Sequence, residues 1–202
     1  MLRPSPLALD QPLWLCAFRP FFLAAALSAA LLVALWGCFL GFGLPLPPVA
    51  GGPFVWHAHE LLFGFALAAV AGFALTAVPE FTGTAAVTAR PVRRLFALWL
   101  AARAAFWASG WLGTPALVVA GLAHLALVVG LMLLLAPRLF ADPERKHLAF
   151  LWSPIALALL MAFADERHEV VGLTVAAGNV GLGHTVRNAL KLCEVAGRGD
   201  VP

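Results

Sequence analysis

Residues 57–78 read HAHELLFGFALAAVAGFALTAV, an apolar run with one acidic side chain, Glu60. A helix that crosses a bilayer needs about 20 predominantly apolar residues, and this run is long enough to do so. Two histidines, His57 and His59, stand at its start, directly before the glutamate. Ionisable side chains at membrane depth are energetically costly and mark functional sites by default. The stretch therefore predicts a transmembrane helix with a binding site at its first turn.

The composition of the whole chain indicates that lipid is its solvent. The 202 residues are 62% hydrophobic and 11% charged, and the mean hydropathy is +0.93. A soluble domain of this size cannot bury so much apolar surface, so we expect a lipid bilayer as the main partner. The net charge is +3, but the basic residues lie between apolar runs. The positions of these basic residues are better explained by orientation in a membrane than by nucleic-acid binding, and we expect no nucleic-acid partner.

We predict an all-α, polytopic bundle of five to six transmembrane helices, because the apolar runs are continuous and lack the alternation of barrel strands. The four stronger runs are Phe21–Leu44, His57–Val78, Leu95–Leu112 and Ala116–Ala136. The fifth is Leu148–Phe163, which is short. The sixth is Val170–Val186, which is weaker because it contains Asn179, His184 and four glycines.

The loop charges predict the orientation of this bundle. Lysines and arginines occur before the first run, in the second and fourth loops and in the tail, whereas the first and third loops have none. Positive loops stay on the cytoplasmic side, so the amino terminus is expected there. We divide the chain into a cytoplasmic amino-terminal segment (1–20), a transmembrane helical domain (21–186) and a polar carboxy-terminal tail (187–202).

Five ionisable residues are predicted to lie in the outer half of the membrane: His57, His59, Glu60, Arg103 and His124. Arg103 is about 15 Å and His124 about 12 Å from the outer end of its run, at a rise of 1.5 Å per residue. Glu60 would orient an imidazole, as carboxylates do for metal-bound histidines. Arg103 would pair with Glu60 or with an anionic group of a ligand. The plainer interpretations are histidines that only reach the headgroups and a His124 that only packs.

The spacing adds two expectations about direction. His57, Glu60, Gly64, Ala68 and Gly72 share one face of a regular helix, a small-residue stripe that is more typical of helix packing than of a cofactor face. His59 is two positions from His57 and points nearly the opposite way. Unless the first turn is irregular and both imidazoles reach one metal, they therefore serve different centres, or one is a ligand and the other supports it.

Several motifs of the chain resemble the NnrS family. They are Arg19–Phe22, Trp56–Glu60 followed by Phe63–Phe65, Gly72–Pro79 and Thr82–Gly83. A looser match continues through Arg90–Pro91, Trp99–Arg103 and the run with His124, and Gly181–Thr185 with Arg187 looks like a shorter second signature. The chain departs from the family pattern at Glu80-Phe81 and between Phe163 and Gly181, and family members are longer.

The resemblance implies a multi-pass protein of the bacterial inner membrane that binds haem and copper and acts in the response to nitric oxide and nitrosative stress. It also implies His57, His59 and Glu60 as site residues and His57, His59 and His184 as metal ligands, although His184 is predicted at the cytoplasmic end. Enzymatic turnover and a homo-oligomer are left open. The rival hypotheses are a membrane transporter or permease fragment and a cofactor-free remnant of a longer NnrS-type protein.

Overall fold

The structure, a computed structural model, describes residues 12–143 and 147–148. The chain divides into two units, Met1–Ile155 and Ala156–Pro202, and the described residues all belong to the first. As predicted, the fold is all-α, with no strand among the described residues. The helical elements are α1 (Phe18–Phe42), α2 (Gly52–His59), a π-helical segment (Glu60–Ala66), α3 (Leu67–Thr82), α4 (Ala89–Trp107), α5 (Ser109–Leu112) and α6 (Thr114–Ala141).

Three helices of the described part are long and apolar enough to cross a membrane. They are Phe18–Phe42, Thr114–Ala141 and the continuous helix Gly52–Thr82, which joins α2, the π-helical segment and α3. Large apolar side chains on the outside of the bundle are exposed, including Leu27, Leu122 and Leu133. Such a continuous apolar exterior is stable only against lipid, so the chain is a membrane protein.

The third predicted run, Leu95–Leu112, differs from the helix that the structure contains. Helix α4 begins earlier, at Ala89, and ends at Trp107, and the one-turn helix α5 follows. The earlier start includes three arginines, whose long side chains can keep their charges at a membrane surface while the helix continues. Gly113 has φ +63°, which allows the chain to turn into α6.

The helices pack closely where glycines remove side-chain bulk. A Cβ on Gly72 of α3 would lie 2.8 Å from the Cβ of Phe21 and 2.9 Å from the Phe22 ring of α1. Helix α4 packs mainly on α6, where a Cβ on Gly130 would lie 2.7 Å from Leu95 Cδ2. These contacts hold α3 against α1 and α6 against α4.

One end of the bundle is basic and the other is not. The start of α1, the loop 83–88 and the end of α6 lie together, because Phe18 N donates to Thr76 Oγ1 and Arg138 Nε donates to the Ala85 carbonyl. Arginines 19, 90, 93, 94 and 138 all occur at this end, and the opposite loops, 43–51 and 108–113, contain no lysine or arginine. The fifth and sixth predicted runs lie outside the described residues.

At the non-basic end, a proline-rich loop closes over the bundle. Ala50 N donates to Ser109 Oγ at 3.0 Å, and the Pro48 carbonyl lies against Gly110, where no Cβ would fit. Beneath the loop, Trp56 is completely buried in an apolar cluster. The cluster consists of Leu32, Val49, Trp56, Phe106 and Ala120. This cluster lies between the loop at the non-basic end and the buried side chains around Glu60.

Candidate functional site

The site is built on the π-helical segment that begins at Glu60. A π-helix accommodates an extra residue in a turn, is rare, and occurs frequently at functional sites. The wider turn changes which residues share a face, so the predicted stripe from His57 to Gly72 is divided. Glu60 and Gly64 face Arg103, whereas Gly72 packs on α1.

Glu60 is 2% exposed and its carboxylate is bonded on both oxygens. Arg103 Nη2 of α4 donates to Oε2 and forms an ion pair with the carboxylate. Trp107 Nε1 donates to Oε1 at 2.9 Å, and His59 Nδ1 lies 3.3 Å from the same oxygen. A buried carboxylate needs such partners, because an unpaired charge in a low-dielectric interior is strongly unfavourable.

The guanidinium of Arg103 contacts two neighbours in addition to Glu60. Its Nη1 donates to Ser28 Oγ of α1 at 2.8 Å, and its Cζ lies 4.7 Å from the centroid of the Trp99 ring. Gly64 leaves it room, since a Cβ there would lie 2.8 Å from Glu60 Oε2 and 3.3 Å from Arg103 Nε. Of the two partners that the sequence left open for Arg103, Glu60 is the one that it contacts in the structure.

His59 and His124 face each other beside this ion pair. Their ring centroids are 5.2 Å apart with the planes at 61°. The His59 ring stacks on Phe106 at 3.5 Å, with the planes 11° apart, and Phe63 packs against both imidazoles, 5.2 Å from His59 and 4.8 Å from His124. Three aromatic and imidazole rings from three helices therefore fix the position of His59.

In His59 and in His124, one ring nitrogen makes a hydrogen bond within the protein and the other remains available to a ligand. His59 Nδ1 is occupied by Glu60, which favours the tautomer with its lone pair on Nε2. His124 is bonded to the Ala120 carbonyl, and its Nε2 is buried without a hydrogen-bond partner. A buried polar atom without a partner requires an explanation such as an ion or a ligand.

His57 belongs to a different environment. Its ring stacks on Trp36 of α1 at 4.1 Å with the planes 18° apart, and its buried Nδ1 has no hydrogen-bond partner. Phe54, which is 70% exposed, contacts Trp36 edge-on nearby. The structure therefore brings together Glu60, Arg103, His59 and His124 and leaves His57 on another face of the helix. His184 lies outside the described residues.

Within residues 12–143 and 147–148, no group of three or more His, Cys, Asp and Glu side chains is arranged to hold a metal ion. What this part of the chain offers is a pair of imidazoles. A further ligand would come from elsewhere, or the ion would be one that accepts a low coordination number.

Sequence reasoning missed Ser28, Phe106 and Trp107 as parts of the site. A signal for one of them existed, because Trp99, Arg103 and Trp107 are four residues apart and share one face of α4. Nothing in the local sequence indicates that Ser28, 75 positions from Arg103, would accept its hydrogen bond.

Comparisons with known proteins give two kinds of result. The family model described as "NnrS protein" matches residues 12–190. A stretch of 47 residues, 23% of the chain, is 51% identical to "Uridine nucleosidase 1" of Arabidopsis thaliana. Over 47 residues the chain is also 49% identical to "Probable uridine nucleosidase 2" of Oryza sativa subsp. japonica and 45% identical to an uncharacterized protein of Schizosaccharomyces pombe.

The extent of these matches differs sharply. The family match covers most of the chain. By contrast, the chain spans only 14–15% of the length of each of the three curated relatives. No solved structure matches the chain.

Proposed function

The chain belongs to the NnrS family, and from this membership and the imidazole pair we propose that it is a membrane protein that binds copper and haem and contributes to the response to nitric oxide. The observation that carries the proposal is the buried, unpartnered Nε2 of His124 opposite the His59 ring. The family supplies the expectation of metal and cofactor, and the residues determine where each would fit.

Copper fits the His59–His124 pair. A metal bound at about 2.0 Å from an imidazole nitrogen lies about 3.2 Å from the ring centroid, so two rings that share an ion have centroids within about 6.4 Å. The observed separation is 5.2 Å. Imidazole is a suitable ligand for copper, and a separation below this limit implies a bent arrangement of the two rings about the ion, so a further ligand would complete the site. Glu60 would hold His59 in the ligating tautomer, and Arg103 would balance the carboxylate charge.

Haem fits His57 better than His59. A planar macrocycle needs an open side at the ligating ring, whereas the His59 ring is covered by Phe106 at 3.5 Å and surrounded by Phe63 and His124. His57 is half-buried at the outer surface of the α1–α2 contact, and Trp36 supports one face of its ring. Helical bundles commonly hold haem through such histidines. Haem iron and cuprous copper both bind nitric oxide when present.

Single substitutions in the full-length chain test the copper assignment to His59 and His124 separately from the haem assignment to His57. We expect His57→Ala to abolish the Soret absorption of the purified protein and to leave its copper content unchanged. We expect His59→Ala and His124→Ala each to lower bound copper at least tenfold and to retain the Soret band. Absorption spectra and elemental analysis of the detergent-solubilised variants measure both quantities. Unchanged helicity by circular dichroism serves as the control for folding.

Two outcomes would contradict this assignment. Loss of both cofactors in all three variants would indicate one shared centre or a general loss of structure. A colourless, copper-free wild-type protein would favour the rival hypotheses: transport if the chain moves a solute across vesicles, and a cofactor-free remnant if it does not.

We further propose that the chain resides in the bacterial inner membrane with its amino terminus in the cytoplasm. The support is the separation of charge described above, with five arginines at one end of the bundle and none at the loops of the other. Basic ends are retained on the cytoplasmic side.

A second candidate function rests on the 47-residue match to uridine nucleosidases. The unit Ala156–Pro202 is also 47 residues long, so we infer that it is the matching stretch and that it contributes to nucleoside binding. This inference competes with a sixth transmembrane run at Val170–Val186. We expect the full chain to bind uridine with a saturable heat signal in isothermal titration and to release no ribose, since it spans a small part of those relatives. Absence of binding, or binding that survives deletion of residues 156–202, would contradict this inference.

A further inference from the structure

A cavity of about 270 Å³ lies between α1 and α4. Its walls come from one face of each helix, because the lining positions recur every three or four residues. They include Leu23, Leu27 and Leu31 of α1 and Phe96, Trp99 and Leu100 of α4. Leu27 is 62% exposed and Leu100 is 49% exposed, so the cavity is open towards the lipid. The copper and haem proposals do not use this cavity.

The inner wall of the cavity carries a hydroxyl group beside an ion pair. Ser28 of α1, which is buried, and Arg103 of α4 both line this wall. Ser28 Oγ accepts a hydrogen bond of 2.8 Å from Arg103 Nη1, and Arg103 Nη2 is bonded to Glu60. The inner wall therefore has no net charge, because the guanidinium and the carboxylate balance each other.

The hydroxyl hydrogen of Ser28 has no acceptor among the residues that the structure describes. Two other helical hydroxyls donate to the carbonyl four residues earlier, Thr76 Oγ1 at 2.9 Å and Thr82 Oγ1 at 2.7 Å. Within the described part, Ser28 makes only the bond that it accepts from Arg103. A buried hydroxyl hydrogen without a partner is unfavourable, and accepting from a charged donor makes a hydroxyl a stronger donor. Ser28 therefore lacks an acceptor, and the cavity is the space in which one can lie.

The inner wall and the lining define the ligand. A carboxylate or phosphate would add a negative charge beside Glu60, whose own charge is all that Arg103 balances. The ligand is therefore neutral, with an acceptor oxygen for Ser28. Its body is apolar, because the other lining side chains are aliphatic or aromatic.

Part of the lining suits a flat ring and part suits a tail. The Phe96 and Trp99 rings have centroids 5.6 Å apart and planes 30° apart, and Trp99 Nε1 donates to the Phe63 carbonyl at 2.9 Å, which fixes its ring. Flat rings pack favourably on such an aromatic wall. Along α1 the lining runs from Pro20 to Leu31, roughly 16 Å at the helical rise of 1.5 Å per residue. This length accommodates a hydrocarbon tail.

We propose that this cavity binds a membrane quinone. One quinone carbonyl accepts the hydrogen of Ser28, the ring lies against Phe96 and Trp99, and the tail follows the leucines of α1. An apolar pocket with a few placed polar groups is the usual form of a small-molecule site. A phospholipid acyl chain would fill the cavity and leave the Ser28 hydrogen unbonded. A fatty acid would supply an acceptor together with an unbalanced charge beside Glu60. The proposal concerns binding alone and requires neither copper nor haem.

Titration of the full-length chain in neutral detergent tests the proposal. The probes are decylubiquinone and decylbenzene, which has the same tail and a ring without an acceptor oxygen. We expect decylubiquinone to saturate at one molecule per chain in isothermal titration, and to bind at least fivefold more tightly than decylbenzene at equal mole fraction in the micelles. With ¹³C-labelled carbonyls, infrared difference spectra are expected to show a lowered stretching frequency for one of the two carbonyl groups.

Matched variants separate the cavity from the rest of the apolar surface. Ser28→Ala is expected to weaken decylubiquinone binding about fivefold, the ordinary contribution of one hydrogen bond, and to abolish the lowered carbonyl frequency. Ser28→Thr keeps the hydroxyl and should restore both. Leu27→Trp fills the cavity, and we expect at least a tenfold loss. Leu40→Trp lies on the same helix at similar exposure but outside the cavity, and we expect less than a twofold change.

Three results would overturn the proposal. Equal affinities for decylubiquinone and decylbenzene would show an apolar groove that recognises no acceptor oxygen. Tighter binding of dodecanoate than of decylubiquinone would indicate a fatty-acid site. Equal losses in Leu27→Trp and Leu40→Trp would place the quinone elsewhere on the chain. If a variant fails to fold, the comparison of the three probes and the carbonyl frequencies on the wild-type chain still decide the matter.

Discussion

Replacing Arg103 by methionine is expected to destabilise the folded chain by about 3–5 kcal/mol, the typical cost of removing one partner of a buried ion pair. Glu60 is 2% exposed, and Arg103 Nη2 is its charged partner on Oε2. Without the guanidinium, the carboxylate keeps only Trp107 and the His59 ring as hydrogen-bond partners. Methionine retains the apolar length of the side chain, so the loss reports mainly on charge. Reversible unfolding in mixed micelles, followed by circular dichroism, measures the free energy of unfolding.

The double variant Glu60→Gln/Arg103→Met provides the control. Removing both charges leaves no isolated ion, and replacing a buried pair by neutral groups is often nearly neutral for stability. We therefore expect the double variant to recover most of the loss seen in Arg103→Met. Arg90→Met removes an exposed arginine at the basic end and should change stability by no more than about 0.5 kcal/mol. A double variant less stable than Arg103→Met would contradict the ion-pair account.

The orientation of the bundle predicts an all-or-none difference between two labelling sites. Thr114, at the non-basic end, and Ala86, at the basic end, are both exposed in the structure. In a chain whose native cysteines are replaced by alanine, we expect Thr114→Cys to react with a membrane-impermeant maleimide added to spheroplasts. Ala86→Cys is expected to react only after the membrane is permeabilised. Each variant is the control for the other, and the reverse pattern would place the amino terminus outside the cytoplasm.

The sequence was most informative where a pattern depends on length and composition. Runs such as Ala116–Ala136 become helices because every backbone group in lipid must be bonded within its own segment. Helix ends were less predictable. Helix α4 extends back to Ala89 through three arginines, because long basic side chains can reach a membrane surface from inside a helix.

Some residues of the candidate site were predictable from the sequence, but its geometry was not. The cost of ionisable groups in a membrane indicated Glu60, Arg103 and His124 as residues with partners. Regular spacing indicated that His57 and His59 point in different directions. In the structure, His57 stacks on Trp36 of α1 and His59 stacks on Phe106 of α4. The π-helical turn at Glu60 was not predictable, because it depends on tertiary contacts that local spacing does not encode.

The central claim is that His59 and His124 together hold one copper ion beside the Glu60–Arg103 pair. X-ray absorption at the copper edge of the full-length, copper-loaded chain tests it most directly, because scattering from imidazole rings counts the histidine ligands. The account predicts two imidazoles in the wild type and in His57→Ala, and one in His124→Ala. A copper spectrum without imidazole scattering, or one that changes in His57→Ala and not in His124→Ala, would contradict it.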